Sequence, residues 1–236
     1  MTANPFGMRR RVHLLIDPDK WTAEPLAKAL GSAPKAIGTL IVGGTYIHSS
    51  RLDEIFAVCH ESGIPTGALL GASSLSTGDL NRNPSFLLVP LLLGAKTTHF
   101  VTDHLLTATE AIRASRVKVS TYAYLMFEGT PTSAEFFTQH RSIPRDKPEI
   151  VRTLSTCASF IGLRGIYLDA GSNAVRCITS GELQAAIDGS SLPVLVGGGI
   201  QTASQCMEMF DAGACGVIVG TAAERCQALD WLSEVR

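Results

Sequence analysis

Short apolar runs alternate with stretches of helical spacing from one end of the chain to the other. The runs at residues 12–16, 37–42, 66–70, 85–93, 117–127, 165–168, 193–196 and 217–219 read as strands. Most are apolar at consecutive positions, which marks a strand buried on both faces, as in a parallel sheet covered by helices. Between and after them the spacing predicts helices over residues 22–30, 52–60, 98–114, 147–161, 181–187, 203–212 and 223–235. Thr22 is placed to cap the first of these, and Pro148 falls in the first turn of the fourth, where proline is favoured. One unit is irregular. The segment ASSLSTGDLNRNP, residues 72–84, is polar and turn-rich, and predicts an active-site loop or degenerate crossover in place of a regular helix. Eight strand–helix units without a linker favour closure of the sheet into one (β/α)₈ barrel, an α/β TIM barrel spanning residues 1–236.

Composition narrows the partners more than the fold. The 236 residues are 45% hydrophobic and 17% charged, with a formal net charge of −1. That balance gives no basic surplus for nucleic acid. Arg9, Arg10 and Arg11 form one tight basic cluster, either a solvated arm or a contact for an anionic lipid surface. Six cysteines are scattered without a CxxC pair or partner histidines at zinc-finger spacing. They read as small apolar residues in a reducing cytoplasm. The N-terminal MTANPFGMRRR has no apolar stretch behind its charges, so a signal peptide is not expected. The apolar stretch at residues 86–93 is too short to span a bilayer.

In barrels of this kind the chemistry lies where strands end. The seventh strand ends in Gly197-Gly198-Gly199-Ile200 and the eighth in Gly220-Thr221. Glycines let a backbone approach an anion closely with N–H groups pointing outward, and these two loops are the usual phosphate site of such barrels. The sixth strand ends Tyr167-Leu168-Asp169-Ala170-Gly171-Ser172. Asp169 there can accept a proton or bind a hydroxyl, or it can serve only as a cap or a structural hydrogen bond. The first strand ends Asp17-Pro18-Asp19-Lys20. Asp17 is placed to hold a hard cation such as Mg²⁺, with Thr45 after Gly43-Gly44 as a further oxygen. Asp19 either shares that role or is a turn residue.

In this order, HLLIDPDK, VGGT, IPRDKPEIV, YLDAGS, LPVLVGGGI and AGACGVIVGT resemble the geranylgeranylglyceryl phosphate synthase family, which includes bacterial heptaprenylglyceryl phosphate synthases. VPLLLG is also similar, although the family's version usually continues into an asparagine. The resemblance covers residues 13–221. It implies a barrel without a regular third helix, and an enzyme of ether lipid biosynthesis that joins a polyprenyl diphosphate to sn-glycerol 1-phosphate with Mg²⁺. It makes Asp17 and Thr45 the metal side, and Tyr167, Asp169, Gly171, Gly198, Gly199, Gly220 and Thr221 the glycerol phosphate pocket. Ser172 joins the phosphate-binding set, and Tyr167 and Asp169 carry the catalysis. The chain departs from the family pattern in three further places. Asp169 stands for a glutamate, Leu70-Gly71-Ala72-Ser73 for a Phe-Pro-Gly, and Asn173 for a glycine.

The implied reaction is alkyl transfer. The metal neutralises the departing diphosphate, the glycine turns fix the acceptor through its phosphate, and Asp169 orients the acceptor hydroxyl and takes its proton late. Tyr122, Tyr124, Phe127 and the Leu-rich fourth strand either line a prenyl groove or belong to the core. Two rivals remain open at this level. One is another phosphate-binding barrel enzyme, such as an acid–base isomerase or a relative using another three-carbon acceptor. The other is a non-catalytic barrel that binds a phosphorylated or prenylated ligand. A Schiff-base aldolase is disfavoured, because Lys20, Lys96 and Lys147 lie in loops or helix starts. A cytoplasmic homodimer, with at most peripheral membrane contact, is the expectation by analogy.

Overall fold

The computed structural model describes residues 5–6, 10–45, 47–71, 80–129 and 131–235. Eight parallel strands close into a barrel in chain order. They are β1 (Arg11–Ile16), β2 (Ile37–Val42), β3 (Thr66–Leu69), β4 (Leu87–Leu92), β5 (Val119–Met126), β6 (Gly165–Asp169), β7 (Val194–Gly197) and β8 (Gly216–Val219). The described helices are α1 (Ala23–Gly31), α2 (Leu52–Glu61), α3 (Asp103–Ser115), α4 (Ser133–Thr138), α5 (Pro148–Phe160), α6 (Ser180–Gly189), α7 (Ala203–Asp211) and α8 (Thr221–Cys226). The (β/α)₈ barrel expected from the pattern is the observed fold.

The continuous apolar runs are explained by two cores on opposite sides of one sheet. Val12, Leu14 and Ile16, with Leu40, Val42, Val194, Val196, Val217 and Val219, face the helices. The alternate positions, among them Ile41, Leu88, Tyr122, Leu195 and Ile218, fill the barrel. Inside, four large rings lie over glycines. A Cβ on Gly67 would fall 2.3 Å from the Phe86 ring, on Gly165 2.2 Å from Tyr122, on Gly197 2.3 Å from the Tyr167 hydroxyl, and on Gly216 2.6 Å from His13. Phe6 closes the floor, edge-on to His13, Phe86 and Tyr122 at centroid distances of 4.8, 5.5 and 5.3 Å. Pro90 is tolerated inside β4 because β3 pairs with β4 only at Leu87 and Leu88, so no β3 partner requires an N–H at position 90.

Several element boundaries differ from the sequence expectation. Thr22 stands at the N-cap of α1 but makes no side-chain cap bond. True capping boxes occur instead at Thr179/Glu182 and Thr202/Gln205. The helix expected over residues 98–114 is a 3₁₀ turn, Thr98–Phe100, followed by α3. Asp103 interrupts it by accepting from the Thr98 and Thr102 hydroxyls. The helix expected over residues 223–235 is two pieces. Gln227 takes a left-handed φ of 46° and stops α8, and a 3₁₀ turn at Asp230–Glu234 buries Leu232. Helix α4 was not expected, although Thr132 accepting from the Glu135 N–H is a readable start signal. Of the polar segment at residues 72–84, residues 72–79 lie outside the described residues, as do residues 1–4 and 7–9 of the N-terminus.

The basic cluster is not a free arm in its described part. Arg10 pairs with Asp211 at 2.8 Å, and Arg11 donates to the Lys35 carbonyl. Arg9 lies outside the described residues. All six cysteines are free; burial pushes the thiols of Cys59, Cys206 and Cys215 up to about 12, so these three act as apolar filling, whereas Cys157 and Cys226 are exposed. Among the described residues, no helix is long and apolar enough to cross a membrane.

Candidate active site

The C-terminal ends of the strands surround a cavity of about 680 Å³. Asp17, Thr45, Tyr167, Asp169, Ser172, Gly198, Gly199, Gly220 and Thr221 all line it. Gly171 does not, because its N–H is turned to Asp169 Oδ1 at 2.9 Å.

Asp169 is the last residue of β6 and is buried. The Tyr124 hydroxyl donates to Oδ2, and Tyr167 adds a second phenolic bond. Register explains the pairing: Tyr124 of β5 stands opposite Tyr167 of β6, and Asp169 is two residues on, so all three side chains share the inner face. Burial pushes the Asp169 carboxyl above the ordinary carboxylate range, while the bonds from Tyr124, Gly171 and Tyr167 pull it back. Burial, and the Asp169 charge beside them, hold both phenols well above their usual range, so they remain donors. Asp169 thus makes the structural hydrogen bond, accepting from the Gly171 N–H, and also lines the cavity. Tyr124 is the cavity-lining partner of Asp169 that sequence reading left between groove and core. The equal spacing of Tyr122-x-Tyr124 and Tyr167-x-Asp169 was the available signal.

The turn after β7 carries Gly198 and Gly199 at φ 78° and 72°, which glycine adopts without strain. They also admit no side chain. A Cβ on Gly198 would fall 2.5 Å from Asp169 Oδ1, and one on Gly199 2.8 Å from the Ala174 carbonyl. The β6 and β7 turns thus interlock, and Gly220-Thr221 adds the third backbone segment beside them.

Across the mouth, Lys20 bridges Asp17 Oδ2 and Glu224 Oε2, each at 3.2 Å. Burial alone would lower the Lys20 ammonium, but Glu224 and Asp17 outweigh it and raise it. Burial raises the Glu224 carboxyl against the pull of Lys20. The Asp19 N–H donates to Asp17 Oδ1 at 3.0 Å. The Asp19 carboxylate itself accepts from the His48 N–H at 3.0 Å, so it organises the turn. A Cβ on Gly44 would lie 3.7 Å from the Asp17 carboxylate, which places Thr45 one residue from that group. Among the described residues, no three His, Cys, Asp or Glu side chains gather as a metal cage.

The rest of the cavity is a mainly apolar arm, with His104 and Thr138 among its polar members. Leu88, Pro90 and Leu92 line it from β4, Tyr122 and Tyr124 from β5, with Phe100 from the 3₁₀ turn and Ala134 and Phe137 from α4. Phe127, the remaining groove candidate, packs in the outer core and not against the cavity.

Residues 7–235 match the PcrB family. The chain belongs to that family. A geranylgeranylglyceryl phosphate synthase of Korarchaeum cryptofilum is 31% identical over 97% of this chain and 92% of its own. One from Thermococcus gammatolerans is 27% identical over 94% and 88%. The fold is shared with (S)-3-O-geranylgeranylglyceryl phosphate synthase from Thermoplasma acidophilum, solved with its substrate sn-glycerol-1-phosphate. The TM-score is 0.86 at 23% identity, over 96% of this chain and 92% of that one. Schiff-base fructose-1,6-bisphosphate aldolase barrels align less closely, with a TM-score of 0.56 and 14% identity. The resemblance carried by the motifs thus extends over nearly the whole PcrB-family chain and joins it to enzymes that transfer prenyl groups.

Proposed function

We propose that this PcrB-family chain transfers a polyprenyl group from its diphosphate to the hydroxyl of sn-glycerol 1-phosphate, forming an ether bond. The observation that carries this reading is the two-sided cavity. One end has a buried carboxylate between two phenols and glycine turns suited to a phosphate. The other is a mainly apolar arm suited to a prenyl chain. An acid–base isomerase of a small phosphorylated compound has no use for that arm.

The acceptor phosphate sits against the N–H groups of the Gly198-Gly199 and Gly220-Thr221 turns, with the Thr221 and Ser172 hydroxyls as further donors. A carboxylate offers about four lone-pair positions. Three bonds reach Asp169 from the protein. The remaining position accepts the acceptor hydroxyl, orients it, and takes its proton as the new C–O bond forms and the bond to diphosphate breaks. The raised affinity of Asp169 for a proton suits that task. The shorter side chain is held in place by the tyrosines.

Magnesium suits the donor set beside the first strand. Each oxygen of Asp17 keeps a lone pair beyond its bond to Lys20 or Asp19, and Thr45 adds a neutral oxygen. Mg²⁺ commonly needs only one or two carboxylates and brings waters and substrate phosphates of its own. When bound there it would neutralise the leaving diphosphate. Lys20 adds a protein charge at the same mouth. Lipid biosynthesis in the cytoplasm is the setting this chemistry implies.

A transfer assay with labelled glycerol 1-phosphate, Mg²⁺ and prenyl diphosphates of several lengths tests the reading. Label passing into the organic phase, and lost with EDTA or in Asp17→Ala, supports it. Binding of the phosphate with no transfer from any donor would overturn it.

A further inference from the structure

The described residues lining the cavity include two Lys or Arg side chains, Lys20 and Arg225. They are held very differently. Lys20 is neutralised by two carboxylates. Arg225 donates from Nη2 to Asn173 Oδ1 at 2.6 Å, an uncharged amide 52 residues away in the chain. Its charge also reaches the adjacent Glu224, whose carboxyl it helps to hold down. Both Arg225 and Asn173 are exposed at the rim.

The place of this bond matters more than its length. Asn173 sits in the turn after β6 at a left-handed φ of 60°. That turn is locked onto the β7 turn, where Cβ atoms on Gly198 and Gly199 would meet the Gly171 nitrogen and Ala174. Arg225 comes from the opposite side, on α8, one turn beyond Thr221. The guanidinium is therefore fastened where all three glycine-containing turns converge. A phosphate dianion there would offer it oxygen acceptors in charge-assisted bonds, which are roughly twice as strong as a bond to a neutral amide.

We propose that Arg225 is a phosphate-binding residue of the acceptor pocket, whose guanidinium exchanges the neutral Asn173 amide for the oxygens of the phosphate monoester. This rests on the reading that the glycine turns hold a phosphate. Ligand binding then exchanges one partner of the guanidinium for a better one. The β6 turn gives up its tie to α8 as the phosphate replaces it.

The test uses opposite expectations for the two partners of one hydrogen bond. Calorimetry on the full chain, without prenyl donor, measures binding of glycerol 1-phosphate and, separately, of inorganic phosphate. Arg225→Met keeps the apolar stem and should weaken both ligands tenfold or more. Arg225→Lys should recover part of that loss. Asn173→Gly keeps the left-handed backbone and removes the competing amide, so both ligands should bind equally or a few-fold more tightly. Thermal melts confirm that all three variants fold. If the Arg225–Asn173 bond were only a staple, both sides would weaken binding together, and that result overturns the inference. So does Arg225→Met binding as the wild type does. Wild-type protein that binds neither ligand would overturn the phosphate reading of the turns and the role of Arg225 with it.

Discussion

The floor and the mouth of the barrel each bury a titratable group, and they treat it in opposite ways. At the floor, His13 Nδ1 meets the Thr39 hydroxyl at 2.9 Å, while Nε2 has no hydrogen-bond partner among the described residues. Burial, with Arg11 nearby, pushes the ring down to about 3, so it stays neutral. Phe6 covers it. At the mouth, Asp169 is equally enclosed but is held by two phenols and a backbone N–H, and it faces an open cavity. Burial alone does not make a site. A perturbed group becomes useful where donors fix its direction and a ligand can reach it.

The comparison can be broken most severely at the mouth. Asp169→Asn removes the proton acceptor with little change in shape, and kcat for prenyl transfer should fall by about 10²–10⁴-fold. Glycerol 1-phosphate binding should change far less. An unchanged kcat would return Asp169 to a purely structural role. Next comes Gly197→Ala, whose methyl would press on the Tyr167 hydroxyl. It should cost about 1–3 kcal/mol of stability by overpacking, read in denaturant melts, and lower kcat as Tyr167 is displaced from Asp169.

The floor should add to acid sensitivity, alongside His104 and His140, whose rings burial also lowers. The folded His13 ring has a lower pKa than the unfolded one, so the unfolded chain binds the extra proton and stability falls as pH drops from about 6.5 toward 3. The slope from this one group is at most about 1.4 kcal/mol per pH unit. His13→Phe should flatten that part of the stability profile and leave transfer unchanged. A profile unaltered by the substitution would assign the acid sensitivity elsewhere. The smallest effect is expected for Tyr124→Phe. Losing one donor costs roughly 1 kcal/mol in transfer. Because that bond favours the ionised Asp169, the ascending limb of the pH–rate profile should move to higher pH.

The difference between floor and mouth was only half visible in the sequence. Apolar runs closed by Asp17, Asp169, Gly198-Gly199 and Gly220-Thr221 placed eight strands and their chemical ends, because burial on both faces and turn chemistry are local properties. What joins distant strands was hidden. Tyr124 meets Asp169 through the β5–β6 register, and Lys20 meets Glu224 across nearly the whole chain. Neither follows from local pattern. Gly171 entered the phosphate set through the family resemblance, and its N–H donates to Asp169 Oδ1 within its own turn. The break at Gln227 depends on Leu229 and Leu232 finding the core, a tertiary demand that overrides helical spacing.

The rings seated on glycines inside the barrel have a consequence for how such a protein can change over generations. Phe86 with Gly67, Tyr122 with Gly165, Tyr167 with Gly197 and His13 with Gly216 each divide one volume between two neighbouring strands. Enlarging the glycine alone produces a collision, and shrinking the ring alone leaves a void. The interior therefore accepts novelty in couples, with a small residue gained on one strand as a large one is gained on the next. Related sequences should show these positions exchanging bulk together, and a designer reshaping the cavity should alter both members of a couple at once.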